Sequence, residues 1–127
     1  MKSYTDLEQS KKLAEILSSE SADMMHDRLV VIPFNDGTLT PCWSLAALLA
    51  TLPNEIITDN RFECHYQIHI RKYDGGDNTT LYQIAYGNNR GSSGSWHDMV
   101  STSEQKYLID CCVEMIFWLR ENNLLAI

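Results

Sequence analysis

Positive charge is scarce in this chain: 10 Lys and Arg stand against 17 Asp and Glu, a formal net charge of −7. Nucleic acid and anionic lipid would both be repelled at low salt, so neither is an expected partner. The acidic residues are dispersed rather than gathered in a run, as on an ordinary solvated surface. No long apolar stretch occurs either. The longest helical one, Leu45 to Leu52, falls far short of the about 20 residues that span a bilayer. The amino terminus, Met1-Lys2-Ser3-Tyr4-Thr5-Asp6, lacks the apolar core of a secretory signal, which sets a cytoplasmic expectation.

Chemical motifs are missing too. Cys42, Cys64, Cys111 and Cys112 form no Cys-x-x-Cys pair, and adjacent cysteines such as Cys111 and Cys112 bridge only with severe strain, so reduced and mostly buried thiols are expected. Gly91-Ser92-Ser93-Gly94-Ser95 has the composition of a phosphate loop, but no lysine follows. No cofactor is implied. With 127 residues, 44% of them apolar, the chain has material for a single globular domain, residues 1–127, around one core.

What is present is alternation. Between Arg61 and Gly87, Phe62, Cys64, Tyr66, Ile68 and Ile70 alternate with Glu63, His65, Gln67, His69 and Arg71. A period of two marks a half-buried strand. Asp74-Gly75-Gly76-Asp77-Asn78 then turns the chain, and Tyr82, Ile84 and Tyr86 form the inward face of a partner strand. Tyr66, Tyr73, Tyr82 and Tyr86 cluster on this hairpin as cross-strand packing residues.

Helices flank it. Thr5 with Glu8 reads as a capping box opening a helix through about Ser18, with Leu7, Leu13, Ala14, Ile16 and Leu17 on one face. Arg28 to Phe34 is a short β-branched strand that Pro33 either places at an edge or stops, followed by an Asn35-Asp36-Gly37 turn. Ser44 caps a helix closed by Pro53, with Trp43 packed beneath the cap. Gly87 to Ser95 reads as a mobile loop. Ser101 with Glu104 predicts a second capping box opening the last helix. That helix carries a buried stripe of Leu108, Cys111, Cys112, Met115, Ile116 and Leu119 and stops at Asn122-Asn123. The order α-β-α-β-β-α predicts an α+β fold, a small antiparallel sheet with helices packed on one face.

That leaves the polar face, Glu63, His65, Gln67, His69 and Arg71, as the partner-facing surface of a non-enzymatic interaction protein of unknown partner. A metal site is not expected there: His65 and His69 are four apart, roughly 13 Å along a strand. The exposed edge of the first strand and the tail Leu124-Leu125-Ala126-Ile127 are routes to self-association. Two alternatives come from other classes. One is a small hydrolase or transferase with Cys42 as nucleophile, His97 as base and Asp98 as its orienting partner. The other is an acidic inhibitor of a nucleic-acid enzyme, which demands an acidic stripe on one face. His26 is isolated in sequence. Trp96 reads as an anchor for the loop before it, or else as an exposed hot spot.

Tyr4-Thr5 with Glu8-Gln9-Ser10-Lys11-Lys12-Leu13, Ala22-Asp23-Met24, Trp43-Ser44 with Ala47-Leu48-Leu49 and Leu52-Pro53, and Val113-Glu114-Met115 with Trp118-Leu119 give the chain a resemblance. It resembles a group of small proteins of no known activity carried by prophages and mobile elements of gut bacteria. Similar chains place a glycine where Ser18 and Ser19 stand. The resemblance implies a cytoplasmic accessory role in a mobile element and supplies no activity.

Overall fold

A computed structural model describes residues 2–58, 64–90 and 94–125. The fold is α+β with antiparallel pairing throughout, but the strands divide into two sheets where one was expected. A three-stranded sheet has the order β2-β1-β3, from β1 (Met24–Asp27), β2 (Val30–Ile32) and β3 (Thr40–Cys42). A four-stranded sheet has the order β4-β5-β6-β7, from β4 (Glu55–Ile57), β5 (His65–Gly76), β6 (Thr79–Arg90) and β7 (Ser95–Ser101).

The long hairpin is as the alternation predicts. Tyr66 pairs across from the β4 residue Ile56, while Ile68 faces Tyr86 and Ile70 faces Ile84 across β5 and β6. Asp77 and Asn78 make the reversal, both with positive φ (51° and 60°), as a two-residue hairpin turn matched to strand twist requires. Burial fades toward that turn: Tyr66 is buried, Ile68 is half-buried and Ile70 is exposed, because the hairpin runs on beyond its helical cover. Phe62 and Glu63 lie outside the described residues.

Among the described residues α3 (Leu108–Glu121) covers the inner side of the larger sheet, whereas α1 (Leu7–Leu13) packs against β3 of the smaller one. α3 buries Ile109, Cys111, Cys112, Val113, Met115, Ile116 and Leu119 and packs against β6 and α2 (Leu45–Thr51). Its stop is a left-handed Asn123 (φ 56°), with Asn123 N–H donating to the Arg120 carbonyl and Leu124 N–H to that of Leu119. Ser44 caps α2, its Oγ accepting from Ala47 N–H at 3.2 Å. Trp43 is fully buried, with Nε1–H donating to Ser21. No disulfide joins the cysteines, three of which are buried and Cys64 half-buried.

Several boundaries differ from the sequence expectation. α1 (Leu7–Leu13) is capped by Asp6 with Gln9, not by Thr5 with Glu8. Thr5 is drawn inward instead: its N–H donates to the Trp43 carbonyl, and its hydroxyl bonds Ser10 and accepts from Trp43 N–H. α1 also ends before Ser18, and Leu7 and Ala14, expected on its buried face, are exposed. The strand expected over Arg28 to Phe34 contracts to β2, because Arg28 (φ 59°) and Leu29 form a two-residue turn from β1. β2 is nonetheless an edge, and it ends before Pro33. α3 opens at Tyr107 without a side-chain cap, Ser101 lies in β7, and Ser103 bonds Glu114. Gly87 to Arg90 and Ser95 are paired strand rather than loop, while Gly91, Ser92 and Ser93 lie outside the described residues. Leu124 and Leu125 pack against the core; Ala126 and Ile127 are outside the description.

Candidate recognition face

The outer face of the four-stranded sheet is set by register. Gln67 pairs with Gly87, His69 with Ala85 and Arg71 with Gln83; on the far side Gly87 pairs with Asp98 and Asn89 with Trp96. Directly opposed residues share a face. His65, Gln67, His69 and Arg71 therefore stand on one surface with Trp96 and Asp98, two residues of β7. Glu63 of the expected set is outside the described residues.

These side chains hold one another. Arg71 donates to both carboxylate oxygens of Asp98, at 2.5 and 2.8 Å, in the two-pronged geometry guanidinium favours. That contact raises the Arg71 pKa and holds the Asp98 carboxyl below the usual carboxylate range. Trp96 Nε1–H donates to the same carboxylate at 2.7 Å, and the Trp96 ring stacks on His69, centroids 3.6 Å apart and planes 8° from parallel. Gln83, beneath Arg71, accepts from Tyr73 at 3.0 Å and donates to the Thr102 carbonyl at 2.8 Å. Glycine is required under the indole: a Cβ at Gly87 would come within 2.3 Å of the His97 carbonyl oxygen and 2.9 Å of the Trp96 ring. Trp96 is thus half-buried and held on the sheet face by His69 and Asp98, while Gly91, Ser92 and Ser93, the loop it was expected to anchor, lie outside the described residues.

Beside this set lies a cleft of about 220 Å³ lined by Glu55, His65, Gln67, Asn88, Asn89 and Trp96. His65 Nδ1 lies 3.8 Å from the Glu55 carboxylate, and Asn88 donates to the His65 carbonyl at 3.1 Å. The two histidines of β5 engage different partners, Glu55 for one and Trp96 for the other. Among the described residues no group of three or more His, Cys, Asp and Glu side chains is arranged to hold a metal ion.

Cys42 and His97 are not joined. Cys42 is fully buried in β3, where its thiol donates to the Thr5 carbonyl at 3.4 Å, and burial pushes its pKa up, opposite to what a nucleophile needs. His97 is exposed on β7 of the other sheet, and Asp98 is engaged by Arg71. The imidazole nearest this thiol in the bonding network is His26, whose Nε2 bonds the Thr5 carbonyl (3.0 Å) and Ser10 Oγ (2.9 Å). Thr5 and Ser10 are fully buried, so the set reads as a structural knot.

Register brings in Trp96 and Asp98, which sequence reasoning did not assign to this face. The Arg71–Asp98 pair spans 27 residues, beyond the reach of any local pattern. No helix among the described residues is long and apolar enough to cross a membrane. Compared with protein-family models, curated proteins and solved structures, the chain matches none.

Proposed function

We propose that this chain is a non-enzymatic interaction protein that contacts its partner through the outer face of the four-stranded sheet. It works in the cytoplasm as an accessory factor of a mobile element, the setting its resemblance implies. One observation carries the reading: the face is pre-organised before any partner arrives, with Trp96 stacked on His69 and Arg71 forked onto Asp98. Side chains already ordered cost little further entropy on binding, a property of interface anchors. The mutual neutralisation of Arg71 and Asp98, with amides and imidazoles around them, suits a polar and largely uncharged protein surface rather than phosphate.

Affinity capture with the wild-type chain and with a His65→Ser, His69→Ser, Arg71→Ser variant, scored by quantitative mass spectrometry, tests this. Thermal melts confirm that the variant is folded. A partner enriched by the wild type is expected to fall by roughly tenfold or more with the variant. Full retention of every partner by a folded variant removes the outer face from consideration.

A further inference from the structure

α3 carries a second stripe besides the buried one. Glu114, Phe117, Trp118 and Glu121 recur at i, i+3, i+4 and i+7, which places them on one flank of the helix. With Met115 and Val100 they line an open groove of about 370 Å³ between α3 and β7. β7 is the terminal strand of its sheet, so the groove runs beside a sheet edge. Met115 is buried, while Val100, Phe117 and Trp118 are half-buried and give the groove apolar walls.

Carboxylates bracket it. Glu114 accepts from Ser103 N–H at 2.8 Å, Ser103 Oγ at 2.6 Å and Gln105 Nε2 at 3.1 Å. Burial opposes its ionisation, but these bonds outweigh burial and hold its carboxyl below the usual range. Glu121 is exposed and has no ion pair among the described residues. Seven residues of helix separate the two, roughly 10 Å of rise. No Lys, Arg or His lines the groove.

We propose that this groove docks a short extended segment of a partner protein, one bulky apolar residue flanked by Lys or Arg. The apolar side chain enters between Val100 and Trp118, its basic neighbours meet Glu114 and Glu121, and the strand edge receives its backbone. Charge complementarity decides the occupant. Two carboxylates, neither paired with a cation among the described residues, on a chain of net charge −7 repel an acidic segment, whereas Trp118 adds a ring face that attracts a cation. The groove shares no residue with the outer sheet face, so it stands independently of the function proposed above.

Selection of random short peptides displayed on phage against the purified full-length chain provides the test, followed by fluorescence polarisation of the enriched peptides. The enriched pool is expected to pair an aliphatic or aromatic residue with Lys or Arg. Glu121→Lys, at an exposed position, is expected to weaken binding roughly tenfold, while the His65→Ser, His69→Ser, Arg71→Ser variant binds as the wild type does. No enrichment, a pool without basic bias, or equal binding by Glu121→Lys overturns the proposal. So does a concentration-dependent dimer in sedimentation that Glu121→Lys abolishes, which would assign the groove to a second copy.

Discussion

In the four-stranded sheet, β6 buries Ile84, Ala85 and Tyr86 in succession, the inward pair beneath α3 and Ala85 opposite His69. The three-stranded sheet buries Met25 and Cys42 but leaves Val30 exposed beside a fully exposed Leu29. Neither Met25 nor Cys42 belongs to the main apolar cluster. The larger sheet is held by burial of a continuous apolar side. The smaller is held by a polar knot, in which Thr5, Ser10, His26 and Cys42 bond one another and Trp43 N–H bonds the Thr5 hydroxyl. Apolar burial is non-directional and tolerates adjustment; a buried polar network is stable only while every member is satisfied.

The largest expected effect bears on the residue nearest both regions. Trp43→Ala removes a fully buried indole and its bond to Ser21 and should cost about 3–5 kcal/mol in urea unfolding. A loss below about 1 kcal/mol would mean that Trp43 is not a shared support. Thr5→Val keeps the shape but leaves Trp43 N–H unpaired, and should cost about 1–3 kcal/mol. Its signature sharpens the contrast: hydrogen exchange should quicken in β1 and β3 while β5 and β6 stay protected. Uniform quickening would show the two sheets to be one cooperative unit.

Gly87→Ala acts on the larger sheet from its outer side. The new methyl collides with the His97 carbonyl and the indole of Trp96, so a loss of about 1–3 kcal/mol and altered tryptophan fluorescence are expected. Unchanged fluorescence would show that Trp96 is not seated there. The smallest effect is that of pH. The Asp98 carboxyl is depressed by Arg71, so its stabilising contribution is present above the unfolded aspartate value, about 3.9, and is lost as pH falls through the lower folded value. Asp98→Asn should therefore be less stable than wild type at neutral pH, with the gap closing on acidification below about pH 4. A gap independent of pH would assign the loss to packing.

The same contrast separates what was legible from what was not. β5 and β6 alternate over long strands with a two-residue turn, and period two then sorts His65, Gln67, His69 and Arg71 onto one face without any tertiary knowledge. β3, β4 and β2 hold three residues each, too few for a period to show, and β7 opens at Ser95, the last residue of a Gly- and Ser-rich stretch whose composition reads as loop. Thr5 satisfied a local capping pattern that its burial against Trp43 overrode. Trp96 and Asp98 reached the face only through the pairing of β6 with β7, which no local signal encodes.

A photo-crosslinking amino acid placed at Gln67, compared with the same residue at exposed Glu15 beyond the end of α1, tests most directly whether the outer sheet face meets the partner. Covalent capture of one discrete protein from Gln67 and none from Glu15 is the predicted result. Capture from Glu15 alone, or equal labelling from both positions, would contradict it.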